Sequence, residues 1–350
     1  MANTHDAMLR CRRVVDSAIR GRLAIAASTR SPLVKYRRLG RSGMQVSEIG
    51  FGSWLTLDEG DLDHAALLHR TAYEHGINFF DTANQYGLGT VESVVGASLE
   101  PFRRETYVLA TKAFWPYMQD WPFPGANDRG LSRKHLFSEI DKSLKKLRTE
   151  YVDLYQCHRF DPDTPLEETC RAMSDIVTAG KALYWGVSEW TGAQIEEAVS
   201  ICEDAGWHRP ISNQPIYNML ERHWETDAFP ATARCGLGNV CFSPLAEGLL
   251  TGKYAEGTPS GTRAEDERKG QFIRRRFTEQ NLEKVRRLGQ LARDLDVPLS
   301  TLALRWCLRR QELASCIIGA SRPEQIVENA KAPDFAWDDA LEDRIEAVLG

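Results

Sequence analysis

No run of about 18 apolar residues occurs in the chain, which excludes a membrane-spanning helix. There is no basic excess either: 44 Lys and Arg stand against 49 Asp and Glu, a net charge of -5. A nucleic-acid-binding body usually carries the opposite balance, so no nucleic-acid partner is expected. No two of the 8 cysteines are spaced C-x-x-C, which gives neither a zinc knuckle nor a disulfide framework. Most of them read as buried thiols in a reducing cytoplasm. No G-x-G-x-x-G follows the first apolar run, Gly50-Phe51-Gly52-Ser53-Trp54, and Gly87-Leu88-Gly89 lacks the third glycine. The phosphate cradle of an open dinucleotide-binding sheet is therefore missing.

What is present is an ordinary globular composition, 42% hydrophobic and 27% charged over 350 residues. That length suits two domains, or one large α/β barrel. Residues 1–35 differ from the rest, with Arg10, Arg12, Arg13, Arg20, Arg22 and Arg30 against only Asp6 and Asp16. An Arg-rich, acid-poor leader fits an organelle transit peptide. A disordered basic extension, or a start placed too early, is simpler and is the expectation taken here, with 36–350 as the folded domain.

From Tyr36 the pattern becomes regular. Two short runs around Arg41-Ser42-Gly43 predict a β-hairpin over 36–47. Strands are then predicted at 49–53, 78–82, 107–111, 152–157, 183–187, 212–217, 240–243 and 315–318. Amphipathic helices fall between them, for example at 64–75, 132–148, 166–179 and 194–204. Ser132 is a helix N-cap, and Leu136, Ile140, Leu144 and Leu147 share one face behind it. Asp296-Val297-Pro298 should split a long helical stretch into 282–295 and 299–308. Strand-then-helix units imply parallel strands with crossover helices. Eight of them is the count that closes a barrel. The expected fold is a (β/α)8 TIM barrel with an N-terminal β-hairpin and extra C-terminal helices.

Active sites of such barrels lie at the carboxyl ends of the strands. The polar residues closing those strands include Asp81 with Tyr86 just beyond it, Lys112, and His158. Together they make an acid site. A free tyrosine has a pKa near 10 and donates poorly at neutral pH; an adjacent ammonium should lower it, with a carboxylate holding that ammonium charged. A neutral imidazole can orient a carbonyl oxygen. A glycosidase would need paired carboxylates and a metal hydrolase a histidine cluster. Only Asp81 and His158 fit either pattern, so no metal is expected.

Phe80-Asp81-Thr82-Ala83-Asn84-Gln85-Tyr86-Gly87, Ala110-Thr111-Lys112 and Val152-Asp153-Leu154-Tyr155-Gln156-Cys157-His158 resemble the aldo-keto reductase superfamily. The resemblance runs from about Tyr36 to Ala332. Leu245–Tyr254 and Ile318–Asn329 are similar to the branch holding the potassium-channel β-subunits and their bacterial relatives. It implies a catalytic tetrad of Asp81, Tyr86, Lys112 and His158. Tyr86 would be the general acid, tuned by Lys112 and Asp81, with His158 orienting the substrate carbonyl. Channel subunits carry Asn at the position of His158, a departure that favours an enzyme here.

The resemblance also implies a nicotinamide cofactor lying across the barrel mouth. Tyr217 would stack on its ring, and Ser188 and Gln214 would bind its carboxamide. Ser243, Leu245 and Gly248 would line the pyrophosphate, with Lys253 and Arg263 closing over it. Ser321, Arg322, Gln325, Glu328 and Asn329 would hold the adenosine end. Glu189 departs from the usual Asn or Arg beside the carboxamide. NADPH (NADP+) is expected over NADH, because the Arg322 guanidinium suits a phosphate. Trp54, Phe114, Trp115 and Trp190 are expected to wall the substrate pocket, and the loop 246–276 to act as a cofactor latch. The implied activity is NADPH-dependent reduction of aldehyde or ketone carbonyls, with an NADPH-binding regulatory or redox-sensing subunit of slow turnover as the alternative. The implied partner is a small-molecule carbonyl substrate, and a homo-oligomer is compatible with it.

Overall fold

In the computed structural model the alternating pattern becomes eight parallel strands closed into a barrel. The structure describes residues 34–57, 61–116, 125–254, 263–265 and 270–350. The basic extension up to residue 33 lies outside the described residues.

A short antiparallel hairpin comes first, β1 (Tyr36–Arg38) and β2 (Gln45–Ser47), with Tyr36 opposite Ser47. The barrel units follow: β3 (Ile49–Gly52) and α1 (Leu62–Glu74), β4 (Phe79–Asp81) and α2 (Val91–Leu99), β5 (Val108–Ala113) and α3 (Arg133–Leu147). Next are β6 (Val152–Cys157) and α4 (Leu166–Thr178), β7 (Ala182–Val187) and α5 (Gly192–Ala205), β8 (Ser212–Asn213) and α6 (Ala228–Cys235). After β9 (Gly238–Cys241) come α7 (Gly270–Arg274), α8 (Glu279–Asp294) and α9 (Leu299–Leu308). Strand β10 (Leu313–Ile318) is followed by α10 (Pro323–Asn329) and α11 (Asp339–Leu349). β10 pairs with both β3 and β9, which closes the ring.

Local chemistry sets these boundaries. The Ser132 hydroxyl accepts from His135 N and starts α3, which buries Leu136, Ile140 and Leu147. Thr191 and Gln194 form a reciprocal capping box that starts α5 two residues earlier than the apolar spacing predicts. Asp296, at φ 53°, and Pro298 separate α8 from α9, as the sequence implies. The strand predicted over 212–217 is cut short. Its ladder ends at Asn213, Pro215 has no amide hydrogen to donate, and only a single bridge from Ile216 to Phe242 follows.

The barrel interior is a separate small core of Phe79, Val108, Ala110, Leu154, Val240, Ala314 and Ile317, closed at the base by Leu39 and Val46 of the hairpin. Gly40 makes that closure fit: its φ is +59°, and a Cβ there would lie 2.5 Å from Gly236 O. Truncating Leu154 to alanine would open this plug and cost about 2–5 kcal/mol. The larger core lies between the barrel's outer face and the helices. No helix among the described residues is long and apolar enough to cross a membrane.

Candidate active site

Successive side chains of a strand point to opposite faces. The register that sends Phe79, Val108, Ala110 and Leu154 into the barrel interior therefore also turns Asp81, Lys112, Gln156 and His158 inward, nearer the C-terminal mouth. Lys112 Nζ donates to Asp81 Oδ2 at 2.6 Å, to Thr82 O at 2.8 Å and to Tyr86 Oη at 3.2 Å. Asp81 Oδ1 accepts from Gln214 Nε2 at 2.9 Å. Tyr86 stands on the short helical turn after β4, its ring centroid 5.8 Å from that of His158. Since Lys112 donates to the phenol oxygen, the phenol hydrogen is left for a group in the cavity.

Electrostatics set the protonation states. Burial raises the Tyr86 pKa above 10.0; Lys112 opposes this without reversing it. The lowering expected from the sequence is thus overridden by desolvation, and Tyr86 is held as a neutral phenol. Burial acts to lower the Lys112 pKa, but Asp81 and Tyr86 outweigh it and the net shift is upward, so the ammonium persists. Burial, then Lys112 and Arg159, pull His158 well below 6.5, which makes it a neutral imidazole. The buried His158 Nδ1 has no hydrogen-bond partner among the described residues.

A cavity of about 1180 Å³ opens over this cluster. Trp54, Tyr86, Trp115, His158 and Phe242 line one end. Trp54 meets Phe272 edge-on at 5.0 Å and Phe242 at 6.3 Å. Ser188 and Gln214 line the floor, the Ser188 hydroxyl donating to Gln214 O at 2.8 Å. Farther along lie Ser243, Leu245, Gly248 and Lys253, then Ser321, Arg322, Gln325, Glu328 and Asn329. Ser321 N donates to Gln325 Oε1 at 2.9 Å. Arg263 sits in a short turn, and its side chain lies outside what the structure describes.

Three expected residues stand elsewhere. Tyr217 is fully buried, stacked on Trp306 at 5.2 Å with its hydroxyl donating to Glu225 at 2.6 Å. Its place as the aromatic face of the cavity is taken by Phe242, which follows β9 and was missed; it directly precedes the singled-out Ser243. Trp190 is buried against Phe160, 5.0 Å between rings, because Glu189 at φ 59° turns the chain away from the cavity. The Glu189 carboxylate accepts from Ile216 N at 2.5 Å. Phe114 is buried beneath Trp115, 4.7 Å between ring centroids, and does not line the cavity. Glu247 and Arg276 were also missed. They form a buried ion pair that ties the two ends of the loop 246–276 together, with Arg276 also 3.0 Å from Glu221.

The donor set fits a nicotinamide dinucleotide phosphate. Lys253 and Arg322 line the far end, and neither has a carboxylate partner among the described residues. Such cations are suited to phosphates. At the near end Gln214 Oε1 makes no hydrogen bond within the described residues and is available to a carboxamide N–H.

The Aldo/keto reductase family matches residues 48–349 of this chain. A protein of Oryza sativa subsp. japonica named "Probable voltage-gated potassium channel subunit beta" is 40% identical over 323 residues, covering 90% of this chain and 97% of its own length. A protein of the same name from Arabidopsis thaliana is 41% identical over 323 residues, with the same coverage of 90% and 97%.

Proposed function

The chain belongs to the aldo/keto reductase family, and from that membership we propose that it reduces aldehyde or ketone carbonyls to alcohols with NADPH. The observation that carries this is the contact of Lys112 Nζ with both Asp81, at 2.6 Å, and the Tyr86 hydroxyl, at 3.2 Å, on the floor of the cavity. NADPH, when bound, supplies the hydride. Ser188 and Gln214 hold its carboxamide, Ser243, Leu245 and Gly248 line its pyrophosphate, Lys253 reaches toward it, and Arg322 takes the 2′-phosphate.

The chain's own residues do the rest. His158, neutral, donates a hydrogen bond to the carbonyl oxygen and fixes its direction. Tyr86 gives its proton to that oxygen as negative charge develops there. The Lys112 ammonium stabilises the phenolate left behind, and Asp81 keeps that ammonium in place. Trp54, Trp115 and Phe242 keep water from the reacting carbon. The experiment is titration of the purified chain with NADPH and NADH by fluorescence quenching, followed by a panel of aldehydes and ketones read at the absorbance of the reduced cofactor. Tight NADPH binding with turnover of panel members is the expected result.

A second reading has its own support: relatives 40–41% identical over nearly their whole length bear the name of a channel β subunit. Under it the chain holds NADPH, turns over slowly, and docks on a membrane channel protein. NADPH binding with negligible turnover across the panel favours it.

A further inference from the structure

Arg159 follows His158 off the end of β6 and lines the same cavity. One of its guanidinium nitrogens, Nη1, donates to the carbonyl of His158 at 2.6 Å. A guanidinium carries five N–H donors in a planar fork, and no carboxylate pairs with this one among the described residues. The carboxylates of the cavity wall are already engaged. Asp81 is held by Lys112, Glu247 by Arg276, and Glu328 accepts from Ser300 at 3.1 Å. Glu189, on the neighbouring strand end, accepts from the Ile216 amide; its charge acts on Arg159, but no ion pair joins the two among the described residues. Asp81 and Lys112 pair with each other, so at the end of the cavity holding Tyr86 and His158 the Arg159 guanidinium is a cation whose free N–H donors no carboxylate of the cavity wall engages. Lys253 and Arg322 stand with the other end, beside Gly248 and Ser321, where the phosphates belong.

That charge reaches the reacting groups. Burial dominates the shifts of Tyr86 and His158, and Arg159 adds a downward contribution to both. An unpaired, partly buried guanidinium is costly to maintain unless something anionic meets it.

We propose that Arg159 selects the substrate, so that the carbonyl compound reduced at Tyr86 also carries a carboxylate, which the guanidinium grips by two parallel hydrogen bonds. Such fork-to-fork pairing is the strongest recognition an arginine offers and is geometrically strict. Trp54, Trp115 and Phe242 accept the apolar part of the molecule. The inference names the substrate class of the site proposed above and rests on that reading. An arginine serving only to tune Tyr86 would instead treat charged and neutral carbonyls alike.

The test pairs meta- and para-carboxybenzaldehyde with their methyl esters, reduced by the wild-type chain and by the Arg159→Gln and Arg159→Lys variants. Alongside, calorimetry measures benzoate and benzamide binding to the NADP+-loaded proteins. The acid is expected to exceed its ester in kcat/KM. In Arg159→Gln that ratio should fall about 10- to 100-fold, chiefly through KM, with Arg159→Lys restoring part of it. Benzoate should bind the wild type and lose a comparable factor in Arg159→Gln, while benzamide does not discriminate. Equal losses on acid and ester, with benzoate binding unchanged, would overturn the proposal and leave Arg159 a tuning residue. If no aldehyde is reduced yet benzoate binds and Arg159→Gln abolishes it, the anion site stands and the reductase reading fails.

Discussion

Lys112 Nζ and Asp81 Oδ2 lie 2.6 Å apart where neither side chain meets more than a trace of solvent. A buried ion pair adds little net stability while intact, but removing one partner strands the other charge and costs about 3–5 kcal/mol. Asp81→Asn should therefore lower unfolding stability by that amount and slow turnover as well. Denaturant unfolding and a carbonyl assay check both. A stability loss below about 1 kcal/mol would mean that Lys112 is not held charged by Asp81.

Tyr86→Phe removes the phenol hydroxyl that lies 3.2 Å from Lys112 Nζ and leaves the aromatic face toward Trp54 intact. Proton donation in the transition state contributes about 10²- to 10⁴-fold. Turnover should fall by at least that factor while NADPH titrates as in the wild type. Retained turnover would remove Tyr86 from the role of acid.

The barrel and the inward placing of Asp81, Lys112 and His158 were readable from sequence because both follow from a period of two. Tyr86, on the turn after β4, was instead picked out by its closeness to Asp81 and by the family resemblance. Once Phe79, Val108 and Leu154 face inward, so must Asp81, Lys112 and His158, and these are polar residues at places the core rule leaves unexplained. Tyr217 was misplaced for the complementary reason. Beyond Asn213 the ladder lapses, so no strand period fixes its direction, and Arg309 and Glu225 drew its hydroxyl outward. Tertiary convergence was invisible as well. Cys241, Cys307 and Cys316 bring their sulfurs within 4.8 Å of one another with no spacing signature, since Cys241 and Cys316 meet by the pairing of β9 with β10 and Cys307 packs in from helix α9. Arg159 stood next to His158 in the sequence all along; its unpaired state needed coordinates.

The protonation states fix a pH profile for carbonyl reduction. The acid works while protonated, and Tyr86 titrates above 10.0. The imidazole works while neutral, and His158 titrates well below 6.5. Between about pH 7 and 9 kcat should thus stay level, with loss only on the far alkaline side as the phenol deprotonates. A break near pH 6.5 would show that His158 titrates at the ordinary value of an imidazole and is not held neutral by burial.

Arg322 precedes α10 and has no carboxylate partner among the described residues. If it grips the 2′-phosphate, Arg322→Ala should weaken NADPH binding about 10- to 100-fold and NADH binding far less, since a charge-assisted hydrogen bond carries about 1.5–3 kcal/mol. Fluorescence titration of both cofactors measures the two losses. Equal weakening of both would place Arg322 at a shared part of the dinucleotide or outside it.

His69 of α1 is buried between Phe51 and Phe80, with Nδ1 2.8 Å from Ala65 O. Burial lowers its pKa from 6.5 to about 4, the Ala65 carbonyl opposing weakly. Between those two values the unfolded chain binds a proton that the folded chain refuses. Stability from the neutral imidazole is thus complete above pH 6.5 and is lost as pH falls toward 4. A shift of that size corresponds to about 3 kcal/mol. His69→Gln cannot protonate, and it keeps a donor for the Ala65 carbonyl. It should be less stable than the wild type at pH 7, with the deficit shrinking steadily below pH 6.5 and gone or inverted near pH 4. Denaturant melts of both proteins across that interval provide the comparison. A deficit constant with pH would show that His69 takes up its proton in the fold as readily as in the unfolded chain, so that burial does not hold it neutral.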